Sequence, residues 1–286
     1  MGADATLAMW ASGAYTPMAM IAAACARQNA GPDVEHVIVI TADRVPYGCG
    51  PTGVLLMHDN MAGPSYHYVR KPMWWAEMLG GCDEVIGLDA DAMVLGSLSD
   101  AIEASVGLDF AAVVADSSYM PRAPRIPASC GIQWARSDVL SRLELCPDKA
   151  KNLRSFFSLP PDGVLQSAPY FAVAFMFMRS TLATIQTMRR TAEYGLKVPQ
   201  ARHLAVWPEN TPMNCAAIEA DVHWSELNPA MYSSTCAHED KRIWHMDGHK
   251  PGRSLRSALG GYVGVVEASC RRQGLDLAHP YFKETW

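Results

Sequence analysis

The sequence predicts an α/β fold with a mostly parallel central sheet flanked by helices, and three observations carry that prediction. The chain opens with a β-α-β pattern: Thr6–Ala11 reads as a strand, Pro17–Gln28 as a helix, and Val37-Ile38-Val39-Ile40 as a strand buried on both faces. A second apolar run, Val85–Leu88, ends in Asp89-Ala90-Asp91. In an extended segment residues i and i+2 point to the same side. Asp89 and Asp91 are therefore expected to present two carboxylates to one space at the carboxyl end of a strand, where open α/β sheets bind their ligands. Further apolar runs, Phe110–Ala115 and Tyr170–Met178, are separated from the first ones by helical patterns, as a parallel sheet requires.

The elements follow in order. Ser12-Gly13 is a turn, and Pro17 sits in the first turn of the first helix, where its missing N–H costs nothing. Gly31-Pro32 ends that helix. Residues 43–66 hold many Gly and Pro and read as loop, with a short helix near Val54–Asp59, and Arg70–Leu79 reads as a helix. After Asp91 a short apolar tail, Ala92–Leu95, leads through Gly96–Asp100 into a helix from about Ala101. Residues 117–127 are an exposed loop rich in Pro and Arg, residues 134–157 an irregular helix, and Pro160-Pro161-Asp162-Gly163 a turn. Thr181–Tyr194 is an amphipathic helix with Gly195 as its C-terminal stop. A basic turn over residues 245–256 and a last helix near Gly261–Arg272 close the chain.

At 286 residues, with 49% apolar and 19% charged residues, the chain has the composition of a globular protein with a full core. A net charge of −5 argues against a partner held through nucleic-acid phosphates, while local basic clusters could still serve a small anionic ligand. The eight cysteines are scattered with no C-x-x-C pair, which argues against a structural zinc site and for reduced, buried thiols. Thr6–Ala26 is apolar but lacks a positive leader, follows Asp4, and is broken by Ser12-Gly13 and Pro17, so it reads as strand and helix rather than signal peptide. No other segment approaches the ~20 apolar residues of a membrane helix. No membrane span and a cytoplasmic location are the expectation. The sixteen Met read as core filler, and Trp74-Trp75 as helix packing.

Chemistry centres on two stretches. Asp89 and Asp91 repel each other unless a cation lies between them, and a divalent metal meets that need. His245-Met246-Asp247-Gly248-His249-Lys250-Pro251-Gly252-Arg253 gathers imidazoles, cations and glycines within nine residues. Imidazole is a metal ligand, Lys and Arg donate to phosphate oxygens, and glycine lets a ligand approach the backbone. The Asp-x-Asp alone also fits a phosphatase of the haloacid-dehalogenase type with Asp89 as nucleophile, or a pair of carboxylates capping the next helix.

Taken together, the two motifs resemble glycosyltransferase family 8, the group of glycogenin, galactinol synthase and the lipopolysaccharide galactosyltransferases. The likeness runs from about Thr6 to Arg253. It takes in Ala14-Tyr15, Lys71 with Trp75 four residues on, and Asp89-Ala90-Asp91-Ala92-Met93-Val94-Leu95 against the family's Asp-Ala-Asp-Thr-Leu-Val-Leu. Tyr170-Phe171 open a strand like the family's Phe-Asn-Ala-Gly-Val, and Pro208–Asn214 falls where the family has Asp-Gln-x-x-x-Asn. His245, Gly248, Lys250 and Pro251 echo its His-x-x-Gly-x-x-Lys-Pro-Trp. The sequence departs at Ala172 (Asn in the family), at Glu209-Asn210 (Asp-Gln), and at the late motif, which is one residue shorter and has Gly252 in place of Trp.

The resemblance implies one domain of GT-A type with a Rossmann-like sheet over residues 1–286. Residues 1–116 would be the nucleotide-binding half and 117–286 the acceptor half with the basic motif. It implies metal-dependent, retaining transfer of a hexose from a UDP-sugar to a carbohydrate or other hydroxyl acceptor, with Mn²⁺ or Mg²⁺ held by Asp89, Asp91 and His245. Met9, Ala11 and Tyr15 are implied contacts of the nucleoside. Lys71, Ala90, Gly248 and Lys250 are implied contacts of the donor, with Arg253 a further cation for the diphosphate. Glu209 and Asn210 are placed near the anomeric carbon as catalytic candidates, and Asp116 near the sugar hydroxyls. Two alternatives stand beside this reading: a nucleotide-sugar or carbohydrate binder without turnover, and the phosphatase.

Overall fold

A computed structural model describes residues 5–63, 66–114, 171–198, 209–220, 222–227, 232–233, 242–246 and 254–286. Its main sheet contains β1 (Ala5–Ala11), β2 (Val34–Thr41), β3 (Leu55–His58), β4 (Glu84–Leu88), β6 (Phe110–Val114), β7 (Phe171–Arg179) and β8 (Trp224–Glu226), in the order β3-β2-β1-β4-β7-β6-β8. Neighbours run parallel except around β7, which is antiparallel to both β4 and β6. The expected mostly parallel α/β sheet is therefore present, with one reversed strand. Strand order turns back at β1, between β2 and β4, so a crevice opens beyond the carboxyl ends of β1 and β4.

Alternation along β1 assigns its two faces. Leu7, Met9 and Ala11 join the core under α1 (Tyr15–Asn29), whereas Ala8 and Trp10 join the core under α2 (His67–Leu79). Helix α1 buries ten of its fifteen residues, including Met18, Ile21 and five alanines, and leaves little side chain between its backbone and the sheet. Burying residues such as Leu7, Met9 and Met18 contributes about 1.5–3 kcal/mol each. A short α3 (Ser99–Ala104) precedes β6. On the α2 side lie α4 (Leu182–Lys197) and α5 (Asn210–Glu219), and α7 (Val263–Arg272), reached through α6 (Leu255–Leu259), packs on α1.

Three sequence expectations change. The short helix near Val54–Asp59 is instead β3, whose backbone pairs with Ile38–Thr41 of β2. Tertiary pairing overrides the helix preference of Leu and Met here. Gly195 does not stop α4, which runs on to Lys197 from an N-cap at Thr181. A Cβ on Gly195 would lie 2.8 Å from the carbonyl oxygen of Tyr68, so this glycine lets α4 approach α2. The apolar tail Ala92–Val94 is a strand, β5, which joins β9 (Tyr232–Ser233) and β10 (Ile243–His245) in a second sheet ordered β5-β10-β9. Residues 117–127, 134–157 and 160–163 lie outside the described residues. The five cysteines among those described, Cys25, Cys49, Cys82, Cys215 and Cys270, are free thiols. No described helix is long and apolar enough to cross a membrane.

Trp74 and Trp75 are buried in the core under α2, as expected of helix packing. Trp75 presses directly on β4, because the position beneath it is Gly87: a Cβ there would lie 2.5 Å from the indole ring. A buried ring cannot give way as a flexible chain end would. Gly87→Ala is expected to cost about 1–3 kcal/mol through overpacking, read as a lower urea midpoint with an unchanged m-value. A midpoint equal to that of the wild type would contradict this packing.

Candidate active site

The carboxyl end of β4 carries the acidic pair, but not in extended conformation. Asp89-Ala90-Asp91 forms a tight turn, closed by a hydrogen bond from the Ala92 N–H to the Asp89 carbonyl (3.1 Å), which sends the chain from β4 into β5. The turn, rather than strand alternation, aims both carboxylates into one space. The second sheet then adds the imidazole. Ala92 of β5 is paired with His245 of β10, and the Met246 N–H donates to the Asp91 carbonyl (3.0 Å). A residue more than 150 positions along the chain is thereby set beside the acidic pair. His245 Nε2 lies 3.3 Å from Asp91 Oδ1 and 3.8 Å from Asp89 Oδ2, and ligand atoms of all three residues fall within 4.8 Å of one another.

This donor set fits a divalent cation. Two carboxylate oxygens suit Mg²⁺ or Mn²⁺, the imidazole nitrogen leans toward a transition metal, and the three groups converge on one point.

Beside the cluster opens a cavity of about 310 Å³ lined by Trp10, Ala11, Ser12, Tyr15, His67, Lys71, Asp89, Ala90, Asp91 and Glu209. Lys71 is its structural centre. The ammonium is buried over the Trp75 ring, 5.3 Å from its centroid, and donates to Asp89 Oδ1 and to Glu209 Oε2, the latter at 2.8 Å. Glu209 Oε1 in turn meets His67 Nε2 at 2.8 Å. Burial pulls the Lys71 ammonium down, but Asp89 and Glu209 outweigh it and hold the group above the ordinary lysine value. Burial also opposes ionisation of Glu209, yet Lys71 and His67 hold its carboxyl well below the usual range. For Asp89, burial raises the carboxyl; Lys71 offsets only part of this, while Glu209 and Asp91 add to it. A further cation beside Asp89 would therefore favour its ionised form. Tyr15 is kept protonated by burial and by the carboxylates of Asp91, Glu209 and Asp89.

The turn after β1 completes the wall. Gly13 takes a positive φ of 59°, and its N–H and the Thr16 hydroxyl both donate to Asp43 Oδ2, which fixes the start of α1 with Ser12 and Tyr15 facing the cavity. Trp10 is pinned from behind, its Nε1 donating to Asp59 Oδ2 at 2.8 Å.

The implied site residues divide accordingly. Ala11, Tyr15, Lys71, Asp89, Ala90, Asp91 and Glu209 line the cavity, and His245 joins the acidic pair. Met9 does not line it: its side chain is fully buried toward α1, and the neighbouring Trp10 faces the site instead. Asn210 is also elsewhere. Its Oδ1 accepts from the Val173 N–H (3.1 Å), which ties the start of α5 to β7. Lys71 directs its charge to two carboxylates, an arrangement different from the expected diphosphate contact. Gly248, Lys250, Arg253 and Asp116 lie outside the described residues. His67 and Trp10 were not anticipated. Trp10 follows from placing Met9 on the core face; His67 has no local signal, since its role depends on Glu209.

Removing the lysine tests the electrostatics. Lys71→Met leaves Asp89, Asp91 and Glu209 together with no ammonium and is expected to cost about 3 kcal/mol near neutral pH, the lower end for a broken buried pair, because both partner carboxylates keep about a fifth of their surface exposed. The depressed Glu209 carboxyl contributes stability above the ordinary glutamate pKa of about 4.3, and that contribution is lost as pH falls through its lower folded value. In the variant the crowded carboxylates are raised, so lowering the pH relieves it. Urea midpoints of the two proteins are therefore expected to converge as pH falls from 7 to 4. A gap that stays constant over that range would contradict the assignment.

No family model matches the sequence, and no curated protein matches it. Solved structures do resemble the fold. The galactosyltransferase LgtC, in complex with donor and acceptor sugar analogues, is 12% identical with a TM-score of 0.57, over 98% of this chain and 99% of LgtC. The bifunctional glycosyltransferase WbbM is 10% identical with a TM-score of 0.58, over all of this chain and 52% of WbbM. The glycosyltransferase GlyE of Streptococcus pneumoniae TIGR4 is 13% identical with a TM-score of 0.50, over 96% of this chain and 64% of GlyE. The fold of this chain is that of the GT-A glycosyltransferases.

Proposed function

We propose that the protein is a metal-dependent glycosyltransferase that moves a hexose from a UDP-sugar to a hydroxyl acceptor with retention of configuration. One observation carries the proposal: two separate sheets bring Asp89, Asp91 and His245 together at the rim of a cavity that also holds Lys71 and Glu209, at the point where the strand order reverses. The likeness to LgtC, a galactosyltransferase holding donor and acceptor sugar analogues, supports the same reading.

Asp89, Asp91 and His245 would hold Mn²⁺ or Mg²⁺, and a divalent cation there would supply positive charge to offset that of the departing nucleoside diphosphate. The protein's own residues do the rest. Tyr15 and the Ala11–Ser12 turn border the nucleoside side of the cavity, with the Tyr15 hydroxyl kept as a donor. Glu209, a carboxylate lining the cavity, is assigned to the sugar side from the family resemblance, and Lys71 lies between it and Asp89. The basic stretch at Gly248, Lys250 and Arg253 is assigned to the diphosphate from its chemistry alone.

The phosphatase alternative fits less well. The Asp-x-Asp of that phosphatase family normally has Thr or Val two residues after the second Asp, where this chain has Met93.

Calorimetry tests the donor site. UDP is expected to bind the wild type in the presence of Mn²⁺ and at least about tenfold more weakly without it, as loss of a metal bridge implies. Asp91→Ala is expected to abolish the difference between the two conditions. Equal UDP binding with and without Mn²⁺, or no binding in either, would overturn the proposed donor site.

A further inference from the structure

His67 is the first residue of α2 and stands four positions before Lys71, so both project from the same face of that helix. The two residues divide one carboxylate: His67 Nε2 meets Glu209 Oε1 and Lys71 Nζ meets Glu209 Oε2, each at 2.8 Å. The last torsion of a glutamate is soft, and a single hydrogen bond leaves the carboxylate free to turn about it. Two partners on one rigid helix remove that freedom. The imidazole is itself held edge-on against Tyr68, with ring centroids 5.1 Å apart, and Tyr68 is stacked on Tyr66 at 5.2 Å. About half of the His67 side chain remains exposed, and the residue lines the cavity mouth beside Glu209. A core role does not account for an aromatic brace that ends on a carboxylate inside the cavity.

We propose that His67 is a positioning residue for Glu209: together with Lys71 it locks the carboxylate plane toward the sugar side of the cavity. This inference rests on the glycosyltransferase reading of the same site. It deepens that reading by making productive alignment of the sugar, rather than binding of the nucleotide, depend on His67. The metal cluster is built from other residues, so His67 is separable from the donor-anchoring groups.

The test uses the intact chain with Mn²⁺ and two probes, UDP-galactose and UDP-glucose, and measures UDP release. His67→Ala is expected to lower kcat by tenfold or more, on the order of what a misplaced reacting group costs, with KM for the donor and the Mn²⁺-dependent affinity for UDP changed by less than about twofold. Gln carries an amide N–H near the reach of Nε2, so His67→Gln is expected to return kcat to within about threefold of the wild type. A merely structural role would lower thermal stability without splitting kcat from KM and would not be rescued by glutamine. Wild-type kcat in His67→Ala, a loss confined to KM, or His67→Gln as slow as His67→Ala would each overturn the inference while leaving UDP binding intact. A wild type that binds UDP with Mn²⁺ but releases none from either donor would overturn it as well. Failure of the wild type to bind UDP at all would instead overturn the donor reading beneath it.

Discussion

The site depends on one buried ammonium. Lys71 projects from α2 over the Trp75 ring and is shared between Asp89, at the end of β4, and Glu209, at the start of α5. Without a cation at that point, three carboxylates would converge on a half-enclosed cavity, and the cost of desolvating them together would raise their pKa values or push the elements apart. With it, Glu209 stays ionised and the α5 terminus is fixed against α2. The support for Lys71 reaches into the core. Trp75 packs directly against β4 because residue 87 has no side chain, so a backbone detail of the central strand sets the height of the lysine above it.

A second constraint is the turn after β4. By folding Asp89-Ala90-Asp91 into a turn and continuing as β5, the chain leaves the main sheet and offers an edge to β10. His245 is then placed by strand register rather than by a loop. Register is a rigid device: a one-residue slip would turn His245 to the opposite face and substitute Trp244 or Met246, neither of which offers an oxygen or imidazole donor to Mn²⁺ or Mg²⁺. The donor set is thus supported on two sheets, one carrying the acids and one the imidazole.

Much of this was legible in the chain. The β-α-β opening and the strand leading to Asp89 follow from continuous apolar runs and well-placed Gly and Pro, because both faces of a parallel sheet are covered and local composition reflects that burial. The acidic pair and His245 were legible as chemistry, from residue type and order. The unread features depend on partners distant in sequence. Val54–Asp59 is apolar and short, and only pairing with β2 makes part of it strand. Gly195 looks like a helix stop until α2 is packed against it. Asn210 looks like a polar site residue until its oxygen is found on the Val173 N–H. His67 has no local pattern at all, since what defines it is a carboxylate 142 positions later.

Residues from two sheets are proposed to make one divalent-cation site for a nucleotide donor. The most direct measurement is electron paramagnetic resonance of Mn²⁺ titrated into the protein with UDP, comparing the wild type with His245→Ala. The wild type is expected to remove the free Mn²⁺ signal with a stoichiometry of one, and the variant to bind at least about tenfold more weakly, the least expected from loss of a ligand. Identical titrations for the two proteins would contradict the proposed site.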